Sequence, residues 1–207
     1  MPRRSQGKPT SRHDQQRGAG LAYTLRVVLR DAPYSVWRGV IVPSDITLAR
    51  LHDIIQAAMG WTDSHLHAFV IDGEEYGPLD PDGELESELA FLDERRARLG
   101  RLVTRVGQAF EYQYDFGDNW EHDVTLMAIV DRFPEEDLPC VVAGAGACPL
   151  EDVGGTSGFE DFLEAMSSPA HEQHDDYVRW HGGVFDANAF SVDRVNARFH
   201  RRRARGA

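Results

Sequence analysis

Residues 110–130, FEYQYDFGDNWEHDVTLMAIV, decide the fold of this chain. Two segments typical of strands, Phe110 to Tyr114 and Trp120 to Val130, flank the turn-forming Gly117-Asp118-Asn119. This order predicts a β-hairpin. Alternate aromatic side chains on a hairpin pack a core more often than they stack on nucleic-acid bases, and the acidic residues between them would repel phosphates. We therefore expect core packing from Tyr112, Tyr114, Phe116 and Trp120.

The segments before the hairpin predict two strands, a helix and a third strand. Apolar residues recur every second position over 23–30, and a similar run covers 34–42. From Leu48 to Ala58 the apolar spacing is three and four, which predicts a helix with Thr47 as its N-cap and Gly60 at its end. Residues 65–72 then predict the third strand.

The remaining segments predict helices and loops. Residues 72–94 hold ten carboxylates with several glycines and prolines, so we expect no regular element there, and residues 131–157 read mostly as loop. A short helical turn is expected at 99–103. Further helices are expected near 159–166, near 171–180 and from Phe190 into the basic end of the chain. The order of elements predicts an α+β fold, a mixed or antiparallel sheet with a β-hairpin packed against several helices.

Composition indicates a globular protein that needs neither a membrane nor disulfides. The chain has 207 residues, of which 42% are apolar and 10% aromatic, enough to bury a core. No apolar run approaches the ~18 residues of a membrane span. Two cysteines make no disulfide framework, so we expect a cytoplasmic location.

Charge divides the chain into three parts. The net charge is −12, yet residues 1–20 carry five basic side chains and one acidic one, and residues 198–207 carry five basic side chains alone. Residues 21–197 therefore hold 12 basic and 33 acidic residues. We expect a disordered basic leader over 1–20, a domain over 21–197 and a basic tail over 198–207. Such an acidic domain repels phosphate backbones, which leaves only the tails for nucleic acid.

Common catalytic signatures fail when their spacing is tested. There is no phosphate-binding loop of the G-x-x-x-x-G-K-[ST] type, and Gly155-Thr156-Ser157-Gly158 lacks a glycine of the serine-hydrolase elbow. Asp115-Phe116-Gly117 matches a kinase triplet without the other kinase motifs, and His171-Glu172-Gln173-His174 is one residue short of a zinc-protease helix. These failures favour a protein that is not an enzyme.

A group of metal-binding residue types remains. His65 and His67, one residue apart on a predicted strand, point to the same face. With His122, Cys140 and Cys148 they are candidate ligands for a divalent ion, zinc or manganese. The spacing does not enforce such a site, since neither C-x-x-C nor H-x-x-x-H occurs, and core packing of these side chains is the alternative. A Cys–His nucleophile is a weaker alternative, because no histidine is marked as its partner.

The string Tyr112 to His122, YQYDFGDNWEH, resembles the signature of the plasmid pRiA4b ORF-3-like family. The resemblance covers about residues 21–199 and implies a mixed α+β domain, found in bacteria and on mobile elements, with no established activity. Leu150 departs from a proline of the family pattern. Four other segments resemble the same family: Val36-Trp37-Arg38, Gly60-Trp61 with His65, His67 and Phe69, Cys148 to Gly155, and Phe190 to Asn196.

Some members of that family are labelled passenger TnpR proteins of an insertion sequence, but the residues give a recombinase no support. The one H-x-x-R, His200 to Arg203, has no tyrosine after it, and Ser5 and Ser11 lie in the leader. A resolvase activity is therefore not expected.

The function we expect is a non-enzymatic binding or regulatory module with a link to mobile elements. The alternative is a metal-dependent hydrolase or nuclease that uses the histidines and carboxylates. The partner is an unidentified protein or small molecule, with no membrane involved. The candidate surface combines residues from the segments of the family resemblance: His65, His67, Asp115, Asp118, Trp120, His122, Glu151 and Asp152.

Overall fold

The computed structural model describes residues 20–79, 91–132 and 137–205. Its eight strands are β1 (Leu21–Leu29), β2 (Trp37–Pro43), β3 (His67–Ile71), β4 (Glu74–Gly77), β5 (Leu92–Asp93), β6 (Ala109–Tyr114), β7 (Trp120–Asp131) and β8 (Cys140–Ala145). They form one sheet in the order β5-β4-β3-β6-β7-β1-β2-β8. Neighbouring strands are antiparallel except β4 and β5, so the sheet is mixed.

Five helices accompany the sheet in the described ranges: α1 (Leu48–Met59), α2 (Leu99–Leu102), α3 (Gly155–Ser167), α4 (His174–His181) and α5 (Val192–Arg205). The predicted α+β class is confirmed. The predicted ends of α1 also hold, because the side chain of Thr47 accepts the backbone N–H of Arg50 at 3.1 Å. Gly60 closes the helix with a φ of 103°, a left-handed conformation that favours glycine.

The predicted hairpin is formed by β6 and β7. Tyr114 pairs with Trp120 across the turn, and Tyr112 pairs with His122. All four side chains are buried and belong to the same face, which follows from the period of two. The expectation that the hairpin aromatics pack a core is confirmed for Tyr112, Tyr114 and Trp120.

The core is one continuous apolar cluster that joins the sheet to the helices. Leu25 of β1, Ile55 of α1 and Phe159 of α3 are each fully buried in it. Helix α5 contacts both β8 and α1, while α3 packs against α4. None of the helices in the described part of the chain has the length and apolar character needed to cross a bilayer.

Three strand predictions require correction. The acidic segment 72–94 contains β4 and β5, and the segment 131–157, expected to be mostly loop, contains β8. These strands lie at the outer parts of the sheet, where β4 pairs with β3, β5 with β4 and β8 with β2. Their sequences lack the apolar alternation of a strand with one buried face. The third strand begins at His67, so His65 lies in the preceding loop and does not share a strand face with it.

The chain ends differ in how much of them the structure describes. The predicted leader, apart from Gly20, lies outside the described residues. Helix α5 continues to Arg205, past the domain end expected at residue 197. Phe199 is buried in the core, and Nη1 of Arg198 donates to the carbonyl of Ala57 at 3.2 Å. The first part of the expected basic tail is therefore helical and packed.

Candidate functional site

Three loops meet at one end of the hairpin: residues 60–66 after α1, residues 115–119 between β6 and β7, and residues 146–154 before α3. Glu151 ties the third loop to the first, because its carboxylate accepts the backbone N–H of Thr62 at 3.0 Å and the Thr62 hydroxyl at 2.6 Å. It also accepts the Tyr114 hydroxyl at 2.6 Å. Oδ2 of Asp118 accepts the N–H of Gly154 at 3.2 Å, which joins the third loop to the hairpin turn.

The three loops bring His65, Asp115 and Asp152 together, each with one potential metal ligand atom. Nε2 of His65 lies 3.0 Å from Oδ1 of Asp152 and 3.5 Å from Oδ2 of Asp115. This nitrogen is shielded from solvent, yet it has no hydrogen-bond partner among the described residues. The imidazole thus faces two carboxylate oxygens without hydrogen-bond geometry to either.

Asp115 is oriented by the hairpin turn. Its backbone has a φ of 56°, and Oδ1 accepts the N–H groups of Gly117 at 3.0 Å and Asp118 at 3.3 Å. These bonds occupy one oxygen and direct the other, Oδ2, towards His65. This Asx turn fixes the orientation of the carboxylate. Asp152 is 72% exposed at its side chain, so the set opens to solvent on that side.

A second set of the same residue types lines an adjacent crevice of about 480 Å³, which His65 also borders. His52, Asp63 and His67 each present a potential ligand atom there. The rings of His52 and His67 stack with centroids 3.4 Å apart and an angle of 7° between their planes. Nε2 of His67 lies 2.7 Å from Oε2 of the buried Glu94. Nε2 of His52 lies 2.7 Å from Oδ1 of Asp63, so each histidine of this set already has a carboxylate partner.

The hydrogen bonds of His52 define its neutral tautomer. The Tyr112 hydroxyl accepts from Nε2 of Gln56 at 3.0 Å and lies 2.9 Å from Nδ1 of His52. Burial raises the pKa of Tyr112 well above its usual value, so the hydroxyl keeps its proton and donates it to Nδ1. Nε2 then donates to Oδ1 of Asp63 at 2.7 Å. Burial, followed by the charge of the neighbouring His67, lowers the pKa of His52 and favours this neutral form.

The predicted surface residues divide between the place where the three loops meet, the second set and the core. His65, Asp115 and Asp152 come together, with Asp118 and Glu151 tying their loops to one another. Trp120 and His122 are fully buried, which places them in the core and not on a surface. His67 lies in the second set, beside Glu94.

The five ligands proposed from sequence do not form one set. His65 and His67 belong to different groups, because β3 begins only at His67 and the two side chains leave the backbone in different settings. His122 is enclosed under the hairpin, where burial lowers its pKa to about 4. Neither Cys140 nor Cys148 is part of a metal-type cluster among the described residues. Burial raises the pKa of the Cys148 thiol to about 12, which disfavours the thiolate that binds metal.

Sequence reasoning missed His52, Asp63 and Glu94. The sequence does indicate a role for His52, because it and Gln56 are polar residues four apart on a face of α1 that is otherwise apolar. A polar pair on a buried helix face must find partners, which here are Tyr112 and Asp63. Glu94 carried no signal, because nine other carboxylates share its segment.

A mixed α+β domain with a His–carboxylate set where three loops meet is the class of protein that this fold and site define. The chain belongs to the family described as plasmid pRiA4b ORF-3-like protein, whose model matches residues 21–194. This confirms the resemblance carried by the hairpin signature.

Two relatives illustrate that membership. Uncharacterized protein y4hQ of Sinorhizobium fredii (strain NBRC 101917 / NGR234) is 39% identical over 174 residues, which cover 83% of this chain and 87% of that protein. The crystal structure of MM3350, a protein of unknown function from Methanosarcina mazei Go1, matches with a TM-score of 0.74 and 32% identity. The match covers 84% of this chain and 96% of that one. Both relatives are uncharacterised.

Proposed function

We propose that this protein is a divalent-metal-binding module whose ion is held by His65, Asp115 and Asp152. The observation that carries the proposal is Nε2 of His65, which is shielded from solvent, has no hydrogen-bond partner in the described structure, and faces carboxylate oxygens at 3.0 and 3.5 Å. No hydrogen bond among the described residues accounts for the close approach of this nitrogen to two carboxylate oxygens. A cation between the three groups would join them by coordination.

The donor set favours zinc or manganese. One imidazole nitrogen suits a borderline ion such as Zn²⁺, and two carboxylates also suit Mn²⁺. Three protein ligands leave coordination positions open, as in catalytic and not in structural zinc sites. The exposed side of Asp152 gives water and small molecules access to those positions.

The open positions support a second candidate, a metal-dependent hydrolase. A water molecule bound to the ion would lose its proton near neutral pH and act as the nucleophile. The acidic domain disfavours a nucleic-acid substrate, except through contacts of the basic chain ends, so a small substrate fits better. A regulatory role and the link to mobile elements stay predictions.

Metal binding to apo-protein tests the proposal. We expect protein prepared without added metal and stripped with chelator to bind one Zn²⁺ or Mn²⁺ per chain by calorimetry. H65N should weaken that binding by at least ~100-fold, because it removes the only nitrogen ligand. H67N, in the second set, should keep it.

Two results would overturn the assignment. If the wild-type chain binds neither ion, and neither changes its Tm, no centre exists. If H67N loses the ion while H65N retains it, the ion belongs to His52, Asp63 and His67. The hydrolase candidate has its own test, turnover of p-nitrophenyl phosphate that requires the ion and is lost in H65N.

A further inference from the structure

A second pocket, of about 720 Å³, lies at the C-terminal end of α1, beside the loop before α3 and the first turns of α5. None of His65, Asp115 and Asp152 borders it. Its walls include three arginines together with Trp61 and Phe190. Its size is within the range of small-molecule sites, about 300–1,000 Å³. The pocket is therefore a feature separate from the metal centre proposed above.

Arg38 is the most buried of the three arginines, with 2% of its surface exposed. Its guanidinium donates to the carbonyls of Ala58, Ala145 and Gly146 at 2.8–3.0 Å, and to that of Trp37 at 2.8 Å. It also lies over the Phe190 ring, 4.4 Å from the centroid. These partners are dipoles or an aromatic face, so they fix the position of the group without neutralising its charge.

Arg198 brings a second positive charge to the same end of α1. Its Nη1 donates to the carbonyl of Ala57, and a Cβ at Gly60 would lie only 2.7 Å from that nitrogen. The glycine that closes α1 therefore also makes room for Arg198. Burial and the charge of Arg198 both lower the pKa of Arg38, which means that the two guanidiniums oppose each other.

No carboxylate in the described structure forms an ion pair with Arg38, Arg194 or Arg198. Glu151 and Asp186 also border the pocket and bring negative charge to its wall, but the hydrogen bonds that they accept come from other groups. Glu151 accepts from Thr62 and Tyr114, and Asp186 accepts the backbone N–H of Asn188 at 2.9 Å. Burial raises the pKa of the Cys148 thiol to about 12, so this residue adds no negative charge.

We propose that this pocket binds a small organic anion, whose carboxylate or phosphate group lies between Arg38 and Arg198 while its apolar part contacts Trp61 and Phe190. A buried charge is stable when it is paired, and Arg38 has no carboxylate partner within the described residues although the chain carries 34 acidic residues. Arg198, which is exposed, places a second unpaired charge beside it. Four of the five N–H groups of Arg38 donate to carbonyls, which leaves one on Nη2 for an anion. Arg198 donates one N–H to Ala57 and can offer paired hydrogen bonds to a planar or a tetrahedral oxyanion.

Calorimetry with succinate and with inorganic phosphate tests the proposal on the full chain. The protein is first stripped with chelator and dialysed into metal-free buffer, so that an ion at His65 contributes nothing and each of the two proposals can fail without the other. We expect saturable binding of at least one anion with one site per chain, and a rise in Tm. Binding of succinate alone identifies a carboxylate ligand, and binding of phosphate alone identifies a phosphate ligand.

Matched arginine variants distinguish binding at this pocket from a general effect of positive charge on the protein. R198M should weaken anion binding at least tenfold. The affinity of R198K should lie between those of R198M and the wild type, since a lysine keeps the charge but lacks the paired N–H donors of a guanidinium. R101M, on α2 away from the pocket, should bind as the wild type does. Absence of saturable binding by either anion, or an equal loss in R101M and R198M when both are folded by circular dichroism, overturns the proposal.

Discussion

Nε2 of His65 lies 3.0 Å from Oδ1 of Asp152, and no hydrogen bond connects the two residues. The contact joins the loop after α1 to the loop before α3, and Asp115 reaches it from the hairpin turn between β6 and β7. The bonds that position these loops, which Thr62 donates to Glu151 and Gly154 donates to Asp118, do not involve the imidazole. The loops are therefore held together independently of His65, which leaves its nitrogen available to a ligand.

Two substitutions of Asp115 separate its role in the turn from its role as a ligand. D115N should keep stability within about 0.5 kcal/mol, because asparagine tolerates the positive φ and its oxygen still accepts from Gly117 and Asp118. Metal affinity should nevertheless fall at least tenfold, since its amide would donate to Nε2 of His65. D115A should cost about 1–3 kcal/mol of unfolding free energy as well. Urea unfolding and calorimetry measure the two effects, and unchanged metal affinity in D115N would argue against Asp115 as a ligand.

The hydroxyl of Tyr112 should be worth more to the fold than a buried hydroxyl with one partner. Y112F leaves both Nδ1 of His52 and Nε2 of Gln56 without this partner in the core. Y23F removes a single bond, from the Tyr23 hydroxyl to the carbonyl of Val103. We expect about 2–3 kcal/mol for Y112F and about 1 kcal/mol for Y23F by urea unfolding. Equal costs would contradict the hydrogen-bond assignment of His52.

Local periodicity predicted the parts of this fold that bury their own side chains. The hairpin of β6 and β7 and the caps of α1 follow from spacing within a dozen residues. Strands β4, β5 and β8 were missed, because each is held by backbone pairing at the outer part of the sheet and carries little apolar alternation. Helix ends and hairpins are local events, whereas outer strands depend on what already lies beside them.

The candidate site was likewise predicted only in part from the sequence. His65, Asp115 and Asp152 were expected on one surface because they lie in the segments that resemble the family, and the structure brings them together. Trp120 and His122 belong to the same segments but fall on the inward face of β7, where the alternation of the strand buries them. The pairing of His67 with Glu94 depends on where the chain returns after β5, which no short-range pattern encodes.

His122 should make the protein sensitive to acid. Burial lowers its pKa to about 4, while an unfolded histidine titrates near ~6.5, so the unfolded chain binds more protons between these values. Stability contributed by the neutral ring is complete above about pH 6.5 and is lost as the pH falls towards 4, by about 3 kcal/mol in all.

The comparison with H122Q isolates this contribution, because buried acids also destabilise the fold at low pH. The difference in unfolding free energy between the wild type and H122Q should shrink by about 3 kcal/mol between pH 7 and pH 4 in urea titrations. A difference that stays constant across this interval would mean that His122 is not held neutral by burial.

Gly155 should be required where α3 meets the hairpin turn. It has a φ of 67°, and a Cβ there would lie 2.7 Å from the carbonyl oxygen of Asp118. Gly107 is a matched control, with a φ of 86° and nothing within 4 Å of an added Cβ. G107A should cost about 1–2 kcal/mol for the left-handed backbone alone, whereas G155A adds an overpacking cost of about 1–3 kcal/mol.

The same pair of glycines tests how the metal centre is positioned. An added Cβ at Gly155 would displace the hydrogen bond between Gly154 and Asp118. Asp152 would then move relative to Asp115, because it lies two residues before Gly154. G155A should therefore weaken metal binding, while G107A, equally strained in its backbone but remote from the three loops, should leave it unchanged. Urea unfolding of both variants, followed by calorimetry with Zn²⁺, measures the two quantities. If G155A loses stability but binds the ion as tightly as G107A does, the contact between Gly154 and Asp118 stabilises the fold and does not position the ligands.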